Sequence, residues 1–192
     1  MVKEPWINLG YDESNHGKYP EVCVLVSSNN PDDIIRHPDN DKLPKYRRNH
    51  ETIKSRLEAV EHSFLFFDYN DRERLFIPST EIDYGFRKLG IIIASLIYGE
   101  PLGDHLNLFI DGDHYKKQER DYILKILSDV TGLSIDCLNI TYGGHLDQLY
   151  NLVNIADETA HCLLPNSRFA ELRDSKHRKT LRLEELMLDV SV

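Results

Sequence analysis

Four carboxylates, Asp12, Glu13, Asp111 and Asp157, are the residues whose types and positions could do chemistry in this chain. Asp12 closes the strand-like stretch Ile7-Asn8-Leu9-Gly10-Tyr11-Asp12, and Asp111 closes the apolar run from Leu106. The carboxyl ends of strands are where open α/β sheets present their ligands. Glu13 follows Asp12 as the chain enters a turn, so strand alternation need not send it to the opposite face. Asp157 lies on the apolar stripe formed by Leu146, Tyr150, Val153, Ala160 and Leu164, where burial is expected. A buried charge is costly unless a cation, a metal or several hydrogen bonds meet it. Carboxylates from two strands and one helix could supply oxygen ligands to Mg²⁺ or Mn²⁺, which keep positions open for water and phosphate.

The elements that must position them follow from periodicity. Residues 7–12 and 21–27, the second carrying Val22, Val24 and Val26, read as strands one and two. The turn formers between them predict antiparallel pairing. A polar stretch at about 29–62, holding one helix through Ile53, Leu57 and Val60, reads as an insertion. Ser63 to Tyr69 is strand three, and Leu75-Phe76-Ile77 is expected to continue the sheet past a turn at Asn70-Asp71. Ile82 to Tyr98 is apolar almost all round, as a helix buried against a sheet would be, and Gly99 and Pro101 end it. Strand four spans Leu106 to Asp111. A helix through Tyr115, Tyr122, Ile126 and Val130 stops at Gly132, strand five spans Ile135 to Tyr142, and one helix is expected from Leu146 to Leu164. A charged tail at about 166–192 ends on a helical pattern through Leu183, Leu186 and Met187. Right-handed helical crossovers then make strands four and five parallel to strand one, in a mixed five-stranded α/β sheet with helices on both faces.

Three of these segments carry a family resemblance. Gly10-Tyr11-Asp12-Glu13-Ser14 resembles the first-strand motif of type 2 ribonucleases H and of related uncharacterised RNase H-like proteins. Leu108-Phe109-Ile110-Asp111-Gly112 is similar to the family's fourth-strand motif, and Asn154-Ile155-Ala156-Asp157 resembles its late acidic position on a helix. The resemblance implies an RNase H-like domain over 1–192 and a nuclease that hydrolyses phosphodiesters by a two-metal mechanism. Asp12, Glu13, Asp111 and Asp157 would be the catalytic and metal-binding residues, holding Mg²⁺ or Mn²⁺ ions about 4 Å apart. One departure is plain. The family's Gly-Arg-Gly turn after the first acidic pair is replaced here by Ser14-Asn15-His16-Gly17, which speaks against cleavage of RNA in RNA/DNA hybrids.

His16 and His161 are candidate accessory groups, ahead of His114 and His145 on other loops at the same sheet end. Lys45, Arg47 and Arg48 on the insertion and Lys176 and Arg178 in the tail are the surfaces on which nucleic acid could be held, with Tyr46 available for stacking. Acidic residues interleave both clusters, as on an ordinary solvated face. The chain of 192 residues is 41% hydrophobic and 29% charged, which suits one globular core. Its net charge of -9 argues against coating nucleic acid non-specifically. The start Met1-Val2-Lys3-Glu4-Pro5 has no signal-peptide pattern and no apolar run approaches a bilayer span, so a cytoplasmic protein with no membrane partner is expected. Cys23, Cys137 and Cys162 have no metal or redox spacing and read as buried core residues. The alternative to a nuclease is a non-catalytic RNase H-like binding or regulatory module. An ATP-using domain of the actin and sugar-kinase type lacks its phosphate-cradling glycines here.

Overall fold

The structure is a computed structural model, and it describes residues 6–14, 18–45, 49–75, 84–100, 103–112, 117–164 and 176–182. Five strands, β1 (Trp6–Ser14), β2 (Glu21–Ser28), β3 (Glu61–Phe67), β4 (His105–Asp111) and β5 (Leu138–Gly143), form one sheet in the order β3-β2-β1-β4-β5. β1 pairs antiparallel with β2, and β2 with β3. β1 pairs parallel with β4, and β4 with β5, as the crossovers require. The mixed sheet and the parallel neighbours β1 and β4 are those expected from the sequence.

Strand alternation divides the core between the two faces. Leu9, Tyr11, Leu65, Leu108 and Ile110 point to one side, where they pack against α3 (Tyr84–Ile97) and α4 (Lys117–Thr131). Val22, Val24, Val26, Phe64 and Phe109 point to the other, under α1 (His50–Glu58) and α5 (Asn151–Cys162). α5 lies close against β1 because Gly10 has no side chain; a Cβ there would stand 2.7 Å from the backbone carbon of Leu152. α3 and α4 are followed by Gly99 and Gly132, with φ of 75° and 72°, the left-handed conformation that ends helices at glycine. On the α5 face an asparagine ladder crosses three strands. The Asn139 amide donates to the Asn107 carbonyl oxygen at 3.2 Å, and the Asn107 amide donates to that of Asn8 at 3.0 Å.

Four expectations are corrected. Residues 69–75 form a helix, α2 (Tyr69–Leu75), rather than further sheet. Asp68 and Asp71 cap it reciprocally: the Asp71 N–H donates to the Asp68 carboxylate at 2.9 Å, and the Asp68 N–H to that of Asp71 at 3.1 Å. Phe76 and Ile77 lie outside the described residues. β5 starts only at Leu138, because 135–137 wind into a 3₁₀ turn that leaves Cys137 half-buried rather than in the core, unlike Cys23 and Cys162. The last helix is broken: Leu146–Gln148 is a 3₁₀ turn, and α5 starts at Asn151. α5 is also buried nearly all round, since the sheet lies beneath it while α1 and the chain around 31–34 pack upon it.

The polar stretch at 29–62 is a strap over the start of α5. The His37 N–H donates to the Leu149 carbonyl at 2.9 Å, and the Leu43 N–H to that of Gln148 at 3.0 Å. From α1, Arg56 donates to the side-chain oxygens of Asn154 at 2.7 Å and Asn151 at 2.6 Å. At the β3 edge of the sheet, residues 176–182 lie along β3. The Phe64 N–H donates to His177 O at 3.0 Å, and the Lys179 N–H to Phe64 O at 2.7 Å. Leu183, Leu186 and Met187 lie outside the described residues. No described helix is long and apolar enough to cross a membrane.

Candidate active site

Asp12 and Asp111 stand side by side. The parallel register pairs Tyr11 with Ile110, and the next residue of each strand is the aspartate, directed to the α5 face with Gly10 and Phe109. Asp12 is only 7% exposed. One of its carboxylate oxygens accepts the Glu13 N–H at 2.7 Å. Asp111 accepts the Leu146 N–H at 2.9 Å, which ties the end of β4 to the 3₁₀ turn, and the Gly112 N–H donates to Gly143 O at 3.1 Å beside it.

α5 packs against β1 and carries the buried Asp157, whose charge reaches Asp12. Its hold on the sheet near the site includes the Ser14 hydroxyl, which donates to Ala160 O at 2.9 Å. A further aspartate completes the group. Asp147, 4% exposed, sits in the 3₁₀ turn between β5 and α5, and the Lys45 ammonium of the strap stands 3.4 Å from its carboxylate.

The electrostatics show that these carboxylates feel one another. Burial pushes the Asp12 carboxyl well above its ordinary range; the charges of Asp157, Asp111 and Asp147 push it further, opposed by the Glu13 N–H. Asp111 is pushed up to about 6, first by burial and then by Asp147 and Asp157, against the Leu146 N–H and His145, which lower it. Buried carboxylates that repel one another in this way have the donor chemistry of a divalent-cation site. Among the described residues, however, no group of three His, Cys, Asp or Glu side chains is drawn close enough to hold one metal ion as it stands.

Glu13 does not join the group. β1 continues through Ser14, so alternation carries Glu13 to the α3 face. There it accepts from the Tyr11 hydroxyl at 2.7 Å and lies 4.0 Å from Lys88, which also binds the buried Glu21. The expectation of an early turn fails because β2 pairs with β1 as far as Ser14. His161 is exposed on the last turn of α5, as is His145, which adopts φ 66° before the 3₁₀ turn. His16, His114, Tyr46, Arg47 and Arg48 lie outside the described residues. Lys45 reaches the acidic group, whereas Lys176 and Arg178 are exposed at the far edge by β3, with Arg178 over the Phe66 ring at 5.0 Å.

Asp147 is the residue that the sequence pattern missed. A helix drawn unbroken from Leu146 puts Asp147 off the apolar stripe. The signal available was Gly143-Gly144 just before it, a break in the helical pattern; the turn itself is made at His145, whose φ of 66° leads into the 3₁₀ turn that carries Asp147.

No family model and no curated protein matches the chain. Solved structures match its fold. A chain of the PCNA:RNase HII complex from Archaeoglobus fulgidus superposes with a TM-score of 0.53 at 19% identity, covering 80% of this chain and 70% of that one. Ribonuclease H2 from Pyrococcus horikoshii OT3 superposes with a TM-score of 0.52 at 14% identity over the same shares. Bst-RNase HIII in complex with Mn²⁺ gives 0.48 at 16% identity, covering 81% of this chain and 51% of that one. The chain therefore has a ribonuclease H-like fold.

Proposed function

We propose that the protein is a divalent-metal-dependent nuclease whose acidic centre is Asp12, Asp111, Asp157 and Asp147. The observation that carries this reading is the buried Asp12 beside Asp111 at the ends of neighbouring strands, with the buried Asp157 of α5 and Asp147 of the 3₁₀ turn near enough that, after burial itself, their charges and that of Asp111 push the Asp12 carboxyl up. Nothing in ordinary core packing calls for four acidic side chains around one strand end, and their repulsion is relieved by a cation. Asp12 and Asp111, fixed by neighbouring strands, would hold Mg²⁺ or Mn²⁺, with Asp157 and Asp147 as the ligands brought by the last elements. When bound there, two such ions supply an activated water and a counter-charge for the leaving oxygen. The chain's own part is to hold the carboxylates rigidly: Leu146 N–H fixes Asp111, Glu13 N–H fixes Asp12, and Gly10 lets α5 approach. The substrate would be nucleic acid, in keeping with the fold.

One observation favours the second reading, a non-catalytic module that keeps the fold. Glu13, the second acid of the first-strand motif, is turned away to Lys88. The experiment that separates them uses wild type, Asp111→Asn and Asp157→Asn, each checked for native melting. They are incubated with single-stranded DNA, duplex DNA, RNA and RNA/DNA hybrid in Mg²⁺ and in Mn²⁺. The nuclease reading expects cleavage by wild type and a loss on the order of a hundredfold or more in each variant. A wild type that cuts none of the four leaves the binding module standing. A folded Asp157→Asn that cuts like wild type removes Asp157 from the centre.

A further inference from the structure

We propose that Lys45 is a built-in stand-in for the metal: its ammonium neutralises Asp147 while the centre is empty, is displaced when a divalent cation takes that carboxylate, and is then free to hold a phosphate of the incoming strand. The inference rests on the acidic-centre reading above and assigns to one residue a role in both metal and substrate binding.

Three observations carry it. Lys45 lies 3.4 Å from a carboxylate that is almost wholly buried, although its own side chain is 47% exposed. An ordinary surface ion pair joins two solvated groups and contributes little; here one partner belongs to the acidic centre. The backbone leading to Lys45 is also fixed. Leu43 N–H is bound to Gln148 O at 3.0 Å, and the Asn154 amide, which also donates to Asp147 O at 2.9 Å, reaches Pro44 O at 3.4 Å. The same strap thus sets Lys45 and the turn that carries Asp147. Finally, lysine suits an exchange of partners. It is a compact point charge on a flexible stem, so it can leave a carboxylate for a phosphate a few ångströms away without moving the backbone. A divalent ion brings twice its charge to Asp147 and wins by simple Coulomb attraction.

The test compares wild type, Lys45→Met and Lys45→Arg. Mn²⁺ binding is measured by calorimetry on the metal-free proteins, followed by binding of an RNA/DNA hybrid duplex in Ca²⁺ over a range of salt concentrations. Loss of the competing charge is expected to tighten Mn²⁺ binding roughly threefold to tenfold in Lys45→Met. The same variant should bind the duplex more weakly, with a salt slope shallower by about one. Lys45→Arg should keep the wild-type values, because it keeps the charge. If Mn²⁺ binds wild type and Lys45→Met equally well, the stand-in role is overturned while the acidic centre remains. Tighter Mn²⁺ with an unchanged salt slope overturns the transfer to phosphate. A wild type that takes up no Mn²⁺ at all overturns the centre itself, and the inference falls with it.

Discussion

At Asp12 and Asp111, burial and mutual repulsion act in the same direction, and both make the folded protein hold protons that the unfolded chain would release. Asp111 moves from 3.8 to about 6, and Asp12 also rises. A carboxyl raised in this way contributes stability below the unfolded value, and that contribution is lost as pH rises through the folded one. The metal-free protein should therefore lose stability from these groups between about pH 4 and pH 7, on the order of 2 kcal/mol for Asp111 alone. Mn²⁺ should restore it, because a cation replaces the proton. Urea midpoints from pH 4.5 to 7.5, with chelator and with Mn²⁺, check this against Asp111→Asn. The variant should show a flatter pH profile and little gain from Mn²⁺. Identical profiles for the two proteins would mean that Asp111 is not strained by its neighbours.

At the scale of elements, the approach of α5 to β1 is the contact on which the centre depends, and Gly10 permits it. Gly10→Ala places a methyl group against Leu152 backbone, which cannot swing aside as a side-chain end can. The expected cost is about 1–3 kcal/mol from overpacking, together with weaker Mn²⁺ binding as α5 is pushed from the sheet. A variant with wild-type midpoint and wild-type Mn²⁺ affinity would show that α5 relaxes freely. This part of the fold was only partly legible beforehand. Strands β1, β2 and β4 could be read from alternation and apolar runs, and α3 from its all-round apolarity, because burial writes itself directly into residue type. The parallel placement of Asp12 beside Asp111 followed from crossover handedness. Glu13 could not be placed, since its face depends on whether pairing with β2 continues to Ser14, a tertiary fact that no local pattern encodes. Asp147 was hidden because one short 3₁₀ turn changes the helical phase. Asp68 and Asp71 did carry a capping signal, seven and four residues before Leu75, but the apolar pull of Leu75-Phe76-Ile77 outweighed it.

At the scale of the molecule, β3 is one of the two edge strands of the sheet, and residues 176–182 cover it. His177 and Lys179 pair with both backbone groups of Phe64, His177 stacks on His62 at 3.9 Å, and the Arg182 N–H donates to the Ser95 hydroxyl at 3.1 Å. An uncovered edge strand is a template for another chain. Removing residues from 176 onward should unprotect the Phe64 amide in hydrogen exchange and produce concentration-dependent self-association. A truncated protein that stays monomeric with a protected Phe64 would show that the segment does not guard the edge. The asparagine ladder has a further consequence. It joins Asn8, Asn107 and Asn139 on the face that also bears Asp12 and Asp111. A slip of one residue between β1 and β4 would unhook those amides and turn one aspartate to the far side of the sheet. The ladder is therefore a ruler with no half-marks, and each molecule has either the whole acidic pair or none of it. In an Asn107→Leu population, residual metal binding would count correctly assembled molecules, each with undiminished affinity.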